Sequence, residues 1–193
     1  MSEEARKALW RSRAVIMIAT LVSRVFGLVR MQVINYYFEQ SMLDPFWSAF
    51  KIPNTLRELL GEGALSVAFI PVFTAILASR GNAEANKLAS NVFNILFVVV
   101  SVIVGASILL ADVYMPAYVT GFAEDGVRLA LAIDLAMVMM PFLLFASMGA
   151  VVMGILNGHK HFAAPAFAPV FFTLTVVSSV ILFHETLGVM SLG

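Results

Sequence analysis

The sequence predicts an all-α integral membrane protein with about five transmembrane helices, and three observations carry that expectation. Of its 193 residues, 61% are apolar and 12% charged, whereas a soluble domain typically has about 45–50% and about 25%. Segments 88–111, 135–158 and 162–183 contain no Asp, Glu, Lys or Arg, and each exceeds the roughly 20 residues that cross a hydrocarbon core. None of the three alternates strictly. A backbone in lipid must satisfy its own hydrogen bonds, so these runs are helices rather than barrel strands.

The elements follow in order. Residues 1–13, "MSEEARKALWRSR", form a basic N-terminal segment. It resembles the start of a signal peptide, but the apolar stretch after it runs into Arg24 with no small-residue cleavage site. A retained first helix over 14–38 is expected. The second helix, 45–78, is longer than a straight crossing requires. It contains Pro53, Gly61, Gly63 and Pro71; proline removes an intrahelical bond and bends the axis, so a kink or break is predicted. Helices over 88–112, 128–157 and 162–184 complete the bundle. Residues 185–193 read as an outside turn and the start of a sixth helix cut short. The chain is therefore expected to be an N-terminal piece of a larger protein.

Loop charge sets the expected orientation. With the N-terminus inside, the inner segments carry Arg6, Lys7, Arg11, Arg13, Arg80, Lys87 and Lys160, and the outer ones only Arg128. Short cytoplasmic loops are enriched in Lys and Arg, so the N-terminus is expected to be cytoplasmic. Glu39, Asp44, Asp112, Glu124, Asp125 and Glu185 fall outside.

Several function classes have no residues to carry them. There is no cysteine, hence no disulfide, thiolate metal site or cysteine nucleophile. His159, His161 and His184 lack metal-ligand spacing. "GEG" (61–63) lacks the spacing and the terminal Lys-Ser/Thr of a phosphate loop. No nucleophile–base constellation appears, so neither an enzyme nor a bound metal or cofactor is expected. Nucleic acid is not an expected partner; membrane lipids are.

The anomaly is "VSRVFGLVRMQ" (22–32). A charge at the bilayer centre costs about 2.5–3.5 kcal/mol on insertion scales. Arg24 lies ten residues from Ala14 and fourteen from Phe38, too deep for easy snorkelling. Arg30 is six residues further on, about 9 Å along the axis and about 120° around it, so the two could line one cavity. In the second helix, Lys51, Asn54, Glu58 and Glu62 share an α-helical face, with Arg57 on the adjoining flank. One reading is structural, with Glu58 and Glu62 neutralising Arg24 and Arg30. The other is functional: four basic residues face two acids across these helices. A cationic, water-filled cavity would hold that excess, and arginine suits bidentate phosphate recognition. Asp134 fits an outer-interface position as well as a cavity.

"SRVFGLVR" (23–30), "DPFWSAFKIPNTLRELLGEGALSVAFIPVF" (44–73) and "GILNGHKHFAAPAFAPV" (154–170) closely resemble the MurJ, or MviN, family. That family flips lipid II, the undecaprenyl-diphosphate-linked peptidoglycan precursor, across the bacterial inner membrane. It belongs to the multidrug/oligosaccharidyl-lipid/polysaccharide exporter superfamily. The resemblance implies a protein of about fourteen helices in two lobes, of which this chain would supply most of the N-terminal one. It implies alternating access, with the missing C-terminal lobe as partner, so that this chain alone is expected to be inactive. Carried over position by position, the diphosphate contacts are Arg24, Arg30 and Arg57, supported by Ser23, Asp44, Lys51, Asn54, Glu58 and Glu62. The family often has Asp after the second arginine, where Met31 stands here. Another cargo within the superfamily, or a non-transporting scaffold with structurally paired arginines, are the alternatives. An organic cation would favour an acidic cavity, which this excess of arginine opposes.

Overall fold

The computed structural model describes the backbone of residues 3–159, 161 and 163–192, and their side chains apart from 3–16, 19, 61–64, 66 and 163–165. Among the described residues there are helices and no strands. In order they are α1 (Glu3–Tyr37), α2 (Gln40–Arg57), a π-helix (Glu58–Phe69), α3 (Ile70–Arg80), α4 (Asn82–Leu109), α5 (Ala111–Tyr118), α6 (Gly126–Gly158), α7 (Ala163–Leu187) and a final 3-10 turn (Gly188–Leu192). By length and composition α4, α6 and the stretch Ala166–Leu192 can each cross a membrane. Charged residues in α1 and α2 dilute their hydropathy.

Helix ends differ from the sequence expectation where strong helix formers continue past the apolar run. α1 begins at Glu3 rather than 14, because "EEARKAL" consists of residues with high helix propensity. α7 continues to Leu187 and closes on Gly188, whose φ of +54° only glycine adopts cheaply at a helix end. The final turn then buries Val189, Ser191 and Leu192. A short α5, absent from the sequence expectation, follows α4.

The proline-rich second span is not interrupted; its winding changes instead. α2, the π-helix and α3 follow one another without a gap from Gln40 to Arg80. In the π-helix each N–H reaches five residues back rather than four, and the Ile70 N–H bonds to the Leu65 carbonyl. The next donor in that series would be residue 71, a proline with no N–H, so the π winding stops there. α3 ends at Gly81, whose φ of +81° permits a one-residue turn into α4.

The helices group into two units. In the first, α1 packs along α7. Arg30 contacts Phe172, and Tyr37 contacts His184 with ring centroids 4.4 Å apart. Both contacts advance toward the C-terminus on each helix, so α1 and α7 run parallel. Two consecutive helices joined by a tight turn would be antiparallel; parallel packing requires intervening chain.

In the second unit α6 is central and packs against α2, the π-helix, α3, α4 and α5. Phe50 of α2 lies 6.3 Å from Phe142, and further along Gly154 and Gly158 face Phe69 and Phe73, so this pair is parallel too. α4 runs antiparallel to α6. Its start packs Ala85 and Ala89 with Val151, Phe69 and Phe73, and its far half packs Val100 and Val104 with Met140 and Leu143. Glycine and alanine at these crossings let backbones approach, which is how helices associate where lipid is as apolar as leucine. Outward, Val98, Val102, Phe145 and Leu182 are exposed, as lipid-facing residues are.

Candidate functional site

The three candidate arginines lie in different units, Arg24 and Arg30 on α1 of the first and Arg57 on α2 of the second. Arg24 is exposed on α1 and makes no hydrogen bond or ion pair among the described residues. Ser23 beside it is half-buried, and Met31 is exposed. Arg30 is half-buried, with its guanidinium carbon 5.6 Å from the centre of the Phe172 ring. That is within the roughly 6 Å reach of a cation–π contact. Ile34, one turn further along α1, is buried and fixes the packed face.

On α2 a local network forms around Asn54. Arg57 Nε donates to Asn54 Oδ1 at 3.2 Å, and Asn54 Nδ2 donates to Glu58 Oε1 at 3.0 Å. Arg57 Nη2 stands 3.8 Å from the same Glu58 oxygen. Residues 54, 57 and 58 have the i, i+3, i+4 spacing that places side chains together on a helix. Asn54 thus bridges the cation and the carboxylate and fixes the orientation of both. Arg57 is partly shielded, its side chain 29% exposed against 55% for Glu58, so this pair is weakened less by solvent than a surface pair. Lys51 and Asp44 are exposed on α2 and make no ion pair among the described residues.

Glu58, the first residue of the π-helix, is engaged by Asn54 and Arg57 of α2. Glu62 lies in the π-helix, so the α-helical spacing that grouped it with Lys51, Asn54 and Glu58 ends at Glu58. Its side chain lies outside the described residues, as do those of Arg6, Lys7, Arg11, Arg13 and Lys160. Asp134 is exposed on α6. No group of three or more His, Asp or Glu side chains that could hold a metal ion occurs among the described residues.

Two features escaped the sequence reading. The Asn54 bridge was signalled by its spacing, but Arg57 was placed on a separate flank. Phe172 carried no signal, because an aromatic in an apolar helix looks like any lipid-facing or packing residue.

A family model described as lipid II flippase MurJ matches residues 33–193. The chain belongs to the lipid II flippase MurJ family. Relatives within it include a probable lipid II flippase MurJ of Rhizobium tropici, 36% identical over 167 residues, covering 83% of this chain and 31% of the relative. The lipid II flippase MurJ of Burkholderia cenocepacia is 34% identical over 163 residues, covering 84% and 32%. A solved structure of lipid II flippase MurJ in an inward closed conformation superposes with a TM-score of 0.76 at 27% identity, covering 92% of this chain and 37% of that one. The chain spans about a third of the length of the curated relatives it matches. MurJ membership and the apolar helices make it a multi-pass membrane protein of a transporter family.

Proposed function

We propose that the protein translocates lipid II across the bacterial inner membrane by alternating access, with its N-terminus on the cytoplasmic side. Arg24, Arg30 and Arg57 serve as contacts for the diphosphate of the headgroup, while the undecaprenyl tail stays in lipid. Ser23, Asp44, Lys51, Asn54, Glu58 and Glu62 support them. The remaining two-thirds of the length of the relatives would supply the opposing lobe.

The observation that carries this reading is Arg24. An exposed guanidinium on a membrane helix, with no carboxylate partner among the described residues, is costly to maintain unless an anion is its intended partner. Arginine's fork of N–H donors matches a phosphate bidentately, and lipid II carries two phosphates. The parallel pairing of α1 with α7 and of the α2–α3 span with α6 agrees with odd and even spans each running one way across a membrane. Family membership supports the inner-membrane placement, and the excess of Lys and Arg on one set of loops supports the inward N-terminus.

The test is complementation. Bacteria depleted of their own lipid II flippase receive the full-length protein with Arg24→Ala, Arg30→Ala or Arg57→Ala, and growth and lipid II translocation are measured. Loss of both is expected for Arg24→Ala and for at least one other variant. Intact growth and translocation in all three would overturn the proposal. For Arg57, engagement with Asn54 and Glu58 also favours a structural share. Arg57→Lys, which keeps the charge and loses the planar fork, is expected to fall short of wild type.

A further inference from the structure

We propose that Phe172 is a positioning residue for Arg30, holding its guanidinium by the aromatic face so that its N–H edge stays available to a phosphate. The inference rests on the reading of Arg30 as a diphosphate contact.

Arg30 presents an electrostatic problem that the structure resolves without a carboxylate. It is half-buried on α1 and has no ion pair among the described residues. What stands against it is a ring: the guanidinium carbon sits 5.6 Å from the Phe172 centroid. The negative face of an aromatic ring attracts a cation, and more so where water is scarce.

Two features hold that ring where it is. Phe172 belongs to α7, which packs along α1, and its neighbours Val170 and Thr173 are buried. On the α1 side, Ile34 is buried one turn beyond Arg30, so the rotation of α1 about its axis is fixed by packing. A phenylalanine has only two rotatable side-chain torsions, so little entropy is lost in presenting it.

The choice of partner matters for the chemistry. A carboxylate would accept hydrogen bonds from the guanidinium edge and would have to be displaced by an incoming phosphate. A ring attracts the charge through its π face and has no lone pair to accept those bonds. The guanidinium has five N–H donors, and a neutral ring lowers the cost of the charge without the lone pairs that would take those donors up, leaving them for bidentate recognition. Phe172 thus compensates Arg30 without competing for it. Met31, the next residue on α1, carries no charge, so the compensation for Arg30 among the described residues comes from α7.

The adjoining Phe171 provides an internal control. It is 69% exposed against 37% for Phe172, makes no contact of this kind with Arg30 among the described residues, and shares the chemistry of Phe172.

The experiment measures binding of lipid II by the full-length protein in detergent. The variants are Phe172→Leu, Phe172→Met, Phe172→Tyr, Phe171→Leu, Arg30→Ala and the Phe172→Leu/Arg30→Ala pair. Phe172→Leu and Phe172→Met are expected to weaken binding by about three- to tenfold, the size of a partly desolvated cation–π contact. Phe172→Tyr, which keeps the aromatic face, is expected to stay within about twofold of wild type, and Phe171→Leu to match it. On the Arg30→Ala background, Phe172→Leu is expected to add nothing. In parallel, NMR of arginine-labelled protein should show the Arg30 Nε–H proton shifted by the ring current, and that shift lost in Phe172→Leu.

Wild-type affinity in both apolar variants would overturn the positioning role while leaving Arg30 as a contact. So would an equal loss on the Arg30→Ala background. If Arg30→Ala itself binds like wild type, the diphosphate role of Arg30 falls and the positioning role falls with it; the ring-current shift would then report only a packing contact.

Discussion

Gly158→Ala is the sharpest test of how the second unit packs. Gly158 closes α6, and a Cβ there would lie 2.7 Å from Cε1 and 2.8 Å from Cδ1 of Phe73, with Thr74 Cγ2 at 3.5 Å. Carbon atoms in contact prefer about 3.5–4.0 Å, so the ring would have to retreat by close to 1 Å. It has nowhere to go. Phe73 is fully buried, with the Phe69 ring 5.4 Å away and Ala85, Ala89 and Val151 in the same cluster. Forcing one carbon into such a core costs about 1–3 kcal/mol. Replacing glycine by alanine returns at most about 1 kcal/mol of helix propensity, and less at a helix end. The net expectation is a loss of about 0.5–2 kcal/mol.

Gly154→Ala is the matched control. Its Cβ would meet Ile70 and Phe69 at 3.4 Å, ordinary contact, and the site is inside the helix, where the propensity gain applies in full. It should be neutral or stabilised by up to about 1 kcal/mol. Thermal unfolding of the full-length protein in one detergent should rank Gly158→Ala below wild type and Gly154→Ala level with or above it. On a Phe73→Leu background, where the shorter side chain lacks the clashing ring edge, the Gly158→Ala penalty should shrink. A Gly158→Ala protein melting at or above wild type would refute the packing argument.

Other expectations are narrower. Asn54→Ala removes the bridge between Arg57 and Glu58. It should weaken lipid II binding by several-fold in a titration while shifting the melting temperature little, since hydrogen bonds to charged groups are worth about 1.5–3 kcal/mol at most and both partners reach water. Asp125 caps α6 by accepting from the Val127 and Arg128 N–H groups, each at 3.2 Å. Asp125→Ala should cost about 1 kcal/mol of stability and Asp125→Asn much less, read by the same melting assay. Ser147 is fully buried on α6, and its hydroxyl has no hydrogen-bond partner among the described residues. Ser147→Ala should leave stability unchanged or raise it by about 1 kcal/mol, whereas a loss would reveal a hidden partner.

The all-helical architecture was legible because length and apolarity are properties of a single segment: 88–111 and 135–158 could be nothing but spans. Helix ends were less so, because propensity alone carries α1 back to Glu3 and nothing in the apolar pattern records it. The prolines announced a disturbance in the second span but not its form, since a kink, a break and a π-helix all follow from a missing N–H. α5 hid behind Pro116 in eight residues that read as a loop. At the site, Arg24 and Arg30 stood out through the cost of charge in lipid, whereas Arg57 was picked out by the resemblance to the MurJ family. The sequence could also have revealed the Asn54 bridge, because i+3 and i+4 partners are written locally. The Arg30–Phe172 contact joins residues 142 positions apart, and which of many phenylalanines meets the cation depends on the rotation and register of two packed helices.

The first unit is discontinuous: its two parts are separated along the chain by the whole of Gln40–Gly158. Chains are made N-terminus first, at about 5–20 residues per second, so α1 waits on the order of ten seconds for α7. The second unit is contiguous and can assemble during that interval. Throughout it α1 holds Arg24 and Arg30 in or near the bilayer without the ring that later faces Arg30. Biogenesis therefore includes an interval, which the finished protein does not show, in which Arg30 lacks its aromatic partner on α7. Lengthening the delay, by slowing translation between α2 and α6, should expose α1 to misinsertion before any change in the folded protein is felt.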